Sequence, residues 1–505
     1  VNTKALWLGL CLSVSSGGCS LITAISTCEG PADCDTAAGE TCSVEKYCVP
    51  AGAATCSPAS CLAERGMGYV CGVGNECVQA TTANCARIIG PIDDPDAVIL
   101  GSILPLSNGF EGLGGPIEQG VDLAVREINE AGGIGDGRPL VVISCDDGAN
   151  LEQAKAAARH LAQVVGTPAI VGPAFSGIYL QVVRDITKPA GVMTMSPSAT
   201  SPLISDLEDS GLAWRTAASD QFQGVAMGDL IATRPTLRRI VALAKDDAYG
   251  KGLLDAVSLR LVELLGADNF KARLYPDPAV VMSPDYVGAV SDVLGQLPRP
   301  DAVILFGTTE SIDVMQIAEQ QLSGTSSRTE YLFADGGKLP DMLAAIDESP
   351  SLERRVSGTE ADHQFGQTYT KFGLRLSQTF GNVPGIYAAN AYDAVYVLAS
   401  AAMTVTSGKP TGALLAAGVA KLVDGRSIEV GPTDLGLARS LLSAGGSVDL
   451  KGASGPLDFD LARGEAPANV ALWRVRENPN APMEYRFESG GTYEVMGASG
   501  QWTFR

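Results

Sequence analysis

The chain has 505 residues, 46% of them hydrophobic and 18% charged, enough for two or three domains with real apolar cores. Its net charge of −21, with only 36 lysines and arginines, excludes nucleic acid as a partner and says little about fold. The two histidines, His160 and His363, are far apart and have no cysteine cluster beside them, so they read as ordinary surface or cap residues and no metal site is expected.

Eleven of the twelve cysteines lie before residue 86. The opening residues VNTKALWLGLCLSVSSGGCS place one lysine before an apolar run from Ala5 to Val14, followed by small residues up to Cys19. That order reads as a secretory signal over residues 1–18, too short to span a membrane. Ser16-Gly17-Gly18-Cys19 looks like a lipoprotein cleavage box with Cys19 as the lipidated residue. Ser16 stands where a leucine is usual, and plain cleavage with Cys19 in a disulfide is the alternative. Residues 19–27 form a tether.

Cysteines follow at 28, 34, 42 and 48, then at 56, 61, 71 and 77; gaps of 6, 8, 6 and of 5, 10, 6 mark an internal duplication. Residues 28–86 hold too few large apolar side chains for a core. Export permits disulfides, and the short knuckles and histidines of a zinc site are missing. Two disulfide-bonded repeats are therefore expected, a spacer or adhesion module, with pairing open. Residues 87–96, rich in proline and aspartate, read as a linker.

From Ala97 strands alternate with amphipathic helices, the pattern of an α/β fold with parallel sheets. The first strand runs AVILGSIL; the glycine-rich loop 105–115 matches neither phosphate-binding pattern. A helix is expected from Pro116, with Ile117, Val121, Ala124 and Ile128 on one face. Leu140–Ser144 is the next strand and Glu152–Val165 the next helix. Ala169–Gly172 is a buried strand whose following loop, Phe175-Ser176-Gly177, opens a helix. Val192–Met195 is a further strand, followed by Ser196-Pro197-Ser198-Ala199-Thr200. Two neighbouring strands thus deliver two hydroxyl-bearing loops to one sheet edge, each at a helix start. Free N–H groups, hydroxyls and the positive helix end suit a small carboxylate, although any one of these residues taken alone also suits a helix cap.

The order of ILPLSNGFEGLGGPIEQGVDLAVREINEAGGIGDGRPL, IVGPAFSGIYL, MSPSATSPLIS, KDDAYGKGL, YAANAYDAVYVLA and GASGPLDFD resembles the type I extracytoplasmic solute-binding proteins, the Leu/Ile/Val-binding protein family, over residues 97–475. The resemblance implies two doubly wound lobes joined by three crossovers, with a ligand between them. Lobe 1 would comprise 97–218 and 359–455, and lobe 2 would comprise 219–358 and 456–505. Residues 410–447 exceed the family's usual connection and read as helical insertions.

In amino-acid-binding members, lobe-1 hydroxyls and amides hold the carboxylate and a lobe-2 acid meets the ammonium. Carried over by motif, Ser176 and Thr200 match the hydroxyls, Ser198 and Ala199 offer backbone groups, and Asp335 matches the acid, though a turn or cap aspartate fits that position too. Leu113 and Thr309-Glu310 stand where branched-chain binders tend to carry tyrosine. Glu310 could face a second cationic group or simply be solvated, and Tyr249 could line the lobe-2 wall. No cofactor is implied. The partners implied are an amino acid or related carboxylate, an ABC permease, and a membrane through the lipid anchor.

A surface receptor or assembly factor on the same fold is the alternative function. An enzyme is not expected, since no nucleophile elbow, metal cluster or histidine base occurs and Ser176 lies in GPAFSG. Family members often bond a cysteine near Cys145 into the loop where Phe175 stands here. Phe175 removes that partner. Parity among the mature cysteines, and the ~40 Å reach of residues 86–97 at ~3.3–3.6 Å per residue, then favour a Cys85–Cys145 bond, with a buried free thiol at Cys145 as the alternative.

Overall fold

A computed structural model describes residues 28, 33–34, 40–42, 48–50, 56–296, 299–323, 329–362, 366–479, 481–496 and 499–505. The expected signal, Cys11, Cys19, the tether and His363 lie outside the described residues. The chain divides into two units at Thr55/Cys56.

In the first unit Cys28 bonds Cys42 and Cys34 bonds Cys48, and Glu40–Cys42 pairs antiparallel with Cys48–Pro50. In the second unit Cys56 bonds Cys71 and Cys61 bonds Cys77, the same first-to-third, second-to-fourth pattern. The second repeat is more than a spacer. Its Val70 and Ala80 share a core with Ile143, Leu161 and Val165 of the lobe behind it. Val73 N donates to Val164 O at 3.0 Å, and Asp146 N donates to Asn84 O at 2.7 Å. Cys85 is bonded to Cys145.

The expected linker is partly a strand. β1 (Arg87–Ile89) pairs antiparallel with β3 (Leu140–Asp146), because Ile88 and Ile89 supply an apolar pair at the sheet edge. β2 (Val98–Leu104) precedes helix α1 (Glu111–Glu130), β3 and α2 (Leu151–Arg159). β4 (Ala169–Val171), α3 (Ser176–Val182), β5 (Met193–Ser196) and β6 (Ala213–Arg215) complete the first sheet, in the order β6-β5-β4-β2-β3-β1. α1 begins at Glu111, ahead of the proline expected to open it. Pro116 is tolerated because the acceptor it leaves unpaired belongs to Gly112, on an exposed turn.

The second lobe opens with α4 (Asp220–Ala232) and β7 (Ile240–Lys245), then α5 (Ala248–Leu265), β8 (Phe270–Tyr275) and α6 (Tyr286–Gln296). β9 (Ala302–Phe306), α7 (Glu310–Leu322), β10 (Glu330–Phe333), α8 (Pro340–Glu348) and β11 (Val356–Ala361) follow. α9 (Gln367–Phe380) and α10 (Ala388–Met403) return to the first lobe. The stretch beyond them holds α11 (Gly412–Val419) and α12 (Pro432–Ser443), as expected of a helical insertion, together with a parallel pair, β12 (Arg426–Glu429) and β13 (Val448–Lys451). Leu415, Val419, Leu435 and Leu442 seal this insertion onto the first-lobe core.

β14 (Val470–Asn478), β15 (Ala481–Met496) and β16 (Ser499–Phe504) extend the second sheet antiparallel, giving β8-β7-β9-β10-β11-β14-β15-β16. Two lobe boundaries shift from those expected. β11 keeps the chain in lobe 2 through Ala361, and Leu457, Phe459 and Ala466 still pack in the first-lobe core, so the last return falls between Ala466 and Val470.

The crossovers are cross-linked. Arg215 is fully buried, donates Nε to Glu465 Oε2 at 2.9 Å and NH1 to Ser201 O at 2.8 Å, and so ties the first crossover to the last. Thr216 and Asn390 exchange hydrogen bonds of 2.8 Å, which anchors α10 beside that hinge.

Candidate functional site: the cleft between the two sheet edges

In an open parallel sheet the crevice for a ligand lies beyond the carboxyl ends of the strands, where the order reverses. In the first sheet the reversal lies between β2 and β4; in the second it lies between β7 and β9. A cavity of about 250 Å³ sits where these two points meet. The segments after β2 and β4 give it Phe110, Glu111, Leu113, Phe175 and Ser176. Those after β7, β9 and β10 give it Tyr249, Thr308, Thr309 and Asp335.

Asp335 is 3% exposed and accepts hydrogen bonds from both lobes. Gln223 Nε2 donates to Oδ1 at 2.8 Å and Tyr249 OH donates to Oδ1 at 3.0 Å, both from lobe 2. Tyr387 OH, from lobe 1, donates to Oδ2. Burial still lifts the Asp335 carboxyl above the ordinary range, against the pull of these three donors. Burial likewise holds the phenols of Tyr249 and Tyr387 well above their usual range, with Asp335 adding to it, so both stay protonated and can donate.

Asp220, at the start of α4, is fully buried and neither carboxylate oxygen has a well-aligned hydrogen bond. Burial lifts it far above the ordinary range and the neighbouring Asp335 adds to that. The Thr200 hydroxyl and Arg215 pull the other way without winning. Burial therefore favours the protonated form of both acids, more strongly at Asp220 than at Asp335.

On the lobe-1 side, Ser176 Oγ accepts from the N–H groups of Thr200 and Ser201, each at 3.2 Å, so the two hydroxyl loops do meet. Ser198 Oγ donates to Ala174 O at 3.0 Å. Among the residues singled out in the sequence, Leu113, Ser176, Ser198, Tyr249 and Asp335 line the cavity, whereas Ala199, Thr200 and Glu310 do not.

Ala199 packs with Tyr179, Val183 and Ile204, and its N–H donates to Ser196 Oγ at 2.9 Å, so its amide is used inside the loop. The Thr200 amide is taken by Ser176, and its buried hydroxyl acts on Asp220 instead of on the cavity. Glu310 is neither solvated nor turned to the cleft. It accepts from Thr308 N at 2.9 Å, Thr308 Oγ1 at 2.6 Å and Tyr275 OH at 3.0 Å. Burial raises its carboxyl, but Lys245 and Thr308 outweigh that and hold it below the ordinary range.

The sequence reading missed Phe110, Phe175 and Tyr387. The two phenylalanines meet edge to face at 5.3 Å. Tyr387 has a φ of 60°, which places it in the left-handed region before α10, an uncommon conformation for a bulky residue. That turn directs its hydroxyl across the cleft. Gly120 lets α1 approach α10 here, since a Cβ would collide with the Ala388 carbonyl. A tyrosine after Gly385-Ile386 carries no signal for this in sequence.

A family model described as periplasmic binding protein matches residues 97–479. Among relatives by sequence, the chemotactic signal transduction system substrate-binding protein BasB of Halobacterium salinarum is 29% identical over 381 residues, which cover 72% of this chain and 84% of that protein. Among solved structures, the leucine binding protein LivK of Thermotoga maritima matches with a TM-score of 0.61 at 21% identity, covering 77% of this chain and 97% of that one. An ABC-transporter solute binding protein of Rhodopseudomonas palustris, solved with 3,4-dihydroxybenzoic acid, matches with a TM-score of 0.59 at 18% identity, covering 78% and 98%.

Proposed function

The chain belongs to the periplasmic binding protein family, and from that premise we propose that it captures an amino acid or a closely related small carboxylate between its lobes. The observation that carries this reading is that Ser176 and Asp335 line one cavity from opposite lobes. A zwitterion needs its carboxylate and its ammonium met on opposite sides, and removing water between the lobes strengthens both contacts. Ser176 opens a helix whose first turn has no side-chain cap, which leaves donors for a carboxylate. Asp335 is the acid for the ammonium, with Tyr249 and Tyr387 holding it in place.

The captured solute is delivered to an ABC permease, from an exported chain anchored by lipid at Cys19. Among the described residues no helix is long and apolar enough to cross a membrane. A sensing role is the second reading. It draws on the chemotactic relative and on the second Cys-rich repeat, which is covalently fixed to the first lobe.

Mass spectrometry of ligand released from the purified mature protein, followed by titration calorimetry with an amino-acid set, tests the proposal. An amino acid that co-purifies and binds one to one is the expected result. No released ligand together with no heat from any amino acid would rule the capture role out.

A further inference from the structure

We propose that the side chain of the ligand is cationic, so that the cleft selects a basic amino acid over an aliphatic or acidic one. The inference rests on the cleft being the amino-acid site and names the class it takes. Among the described residues that line the cavity, the charged ones are Glu111, Asp335 and Asp341, and all three are acids. Asp335 is committed to the ammonium, which leaves the other two.

Glu111 opens α1 in lobe 1 and Asp341 lies in the first turn of α8 in lobe 2, so they stand on opposite lips. Both are exposed, and neither forms a hydrogen bond or ion pair among the described residues. The lips are close there: a Cβ on Gly112 would lie 3.8 Å from Cδ of Pro340.

The cations around the cleft are already engaged. Lys245 pairs with Asp247 at 3.0 Å, Lys251 pairs with Asp246, and Lys338 donates to Glu360. A second acid near Asp341 deepens the negative field, since Asp313 is raised by its own burial, by Glu310 and by Asp341.

With a neutral side chain in the cleft, closing the lobes brings Glu111 and Asp341 together without compensation. A cationic side chain lying between them turns that repulsion into attraction. Phe110 and Phe175, which meet edge to face in the wall, offer apolar surface to the methylene stem of such a side chain, while Lys245 already lies over the Phe175 ring. A dicarboxylate meets only repulsion.

The test is calorimetry on the mature chain with arginine and lysine against their uncharged counterparts citrulline and norleucine, at low and at physiological ionic strength. The cationic member is expected to bind about tenfold tighter or more, the scale of two partly exposed ion pairs, and salt is expected to shrink that ratio. In the Glu111→Gln, Asp341→Asn double variant, whose melting curve checks its fold, the ratio is expected to fall toward one. Citrulline or norleucine binding as tightly as its charged counterpart, leucine or glutamate binding tighter than arginine and lysine, or a ratio unmoved in the double variant, each overturns the inference while leaving amino-acid capture intact. Failure of every amino acid to bind overturns both.

Discussion

Tyr387 donates its phenol hydrogen across the cleft to Asp335, joining a lobe-1 helix start to a lobe-2 loop 52 positions earlier in the chain. The bond puts a neutral donor on the acid that is proposed to receive the ligand's ammonium. It also clamps the lobes through a buried group, where a hydrogen bond to a charge contributes ~1.5–3 kcal/mol. Tyr387→Phe should therefore let the ligand-free protein open. Small-angle scattering checks this: a larger radius of gyration than wild type is expected, and an identical profile would deny the clamp.

Asp335→Asn should weaken binding of any ammonium ligand by ~2–5 kcal/mol, because the ligand's ammonium is then buried without its counter-charge. The wild-type carboxyl is raised by burial, so it takes up a proton at a higher pH than an ordinary aspartate. Affinity for an ammonium should accordingly fall as pH is lowered, beginning above the usual carboxylate range. A calorimetric pH series that stays flat down to that range would contradict the ionised role of Asp335.

Ser176→Ala removes the acceptor shared by the N–H groups of Thr200 and Ser201 as well as a donor facing the cavity. A loss of ~1.5–3 kcal/mol in carboxylate binding is expected. Ser176→Thr should restore part of it, since the hydroxyl returns. Equal affinities for all three proteins would remove Ser176 from the site.

The bond between Cys85 and Cys145 closes a loop with a sequence separation of 60 and ties the second repeat to the first lobe. Replacing both cysteines with serine should cost about 2–5 kcal/mol of stability, through freedom regained by the unfolded chain. Urea melts measure this. Both residues are fully buried, so neither should react with an alkylating agent in the folded, non-reduced protein.

Burial raises Asp147 to about 7; the Ala149 N–H pulls it down and Asp146 pushes it up. Burial also raises Asp393 to about 6, against the donors of Ser454 and Ala453. Folding therefore favours the protonated acids. Their contribution is complete below the unfolded value near about 3.9 and is lost as pH rises through about 6–7. Stability should fall by roughly 1.4 kcal/mol per pH unit for each acid across its window. Asp147→Asn should flatten part of that slope in urea melts. A slope as steep as wild type would show that Asp147 ionises freely in the fold.

Alternating apolar runs and amphipathic helices from Ala97 onward are enough to specify the parallel part of both sheets, since strands buried on both faces must be continuously apolar, whereas the antiparallel strands at their edges were not read. The spacing of the early cysteines revealed the duplication, while their pairing waited for the fold, because spacing alone leaves several connectivities open. The hydroxyl loops after β4 and β5 were legible for the same reason as the strands that carry them. Which of their groups face the cavity was not, since the amides of Ala199 and Thr200 are claimed by Ser196 and Ser176 within the loops themselves. Glu310 read as a candidate because it stands where branched-chain binders tend to carry tyrosine; here Thr308 and Tyr275 surround it. Tyr387 and Asp220 were invisible in sequence, as a backbone φ and an unpartnered burial arise only when distant segments pack. Local pattern determines elements and their faces. The direction of a side chain leaving a loop is decided by the lobe it meets, and that is a tertiary fact.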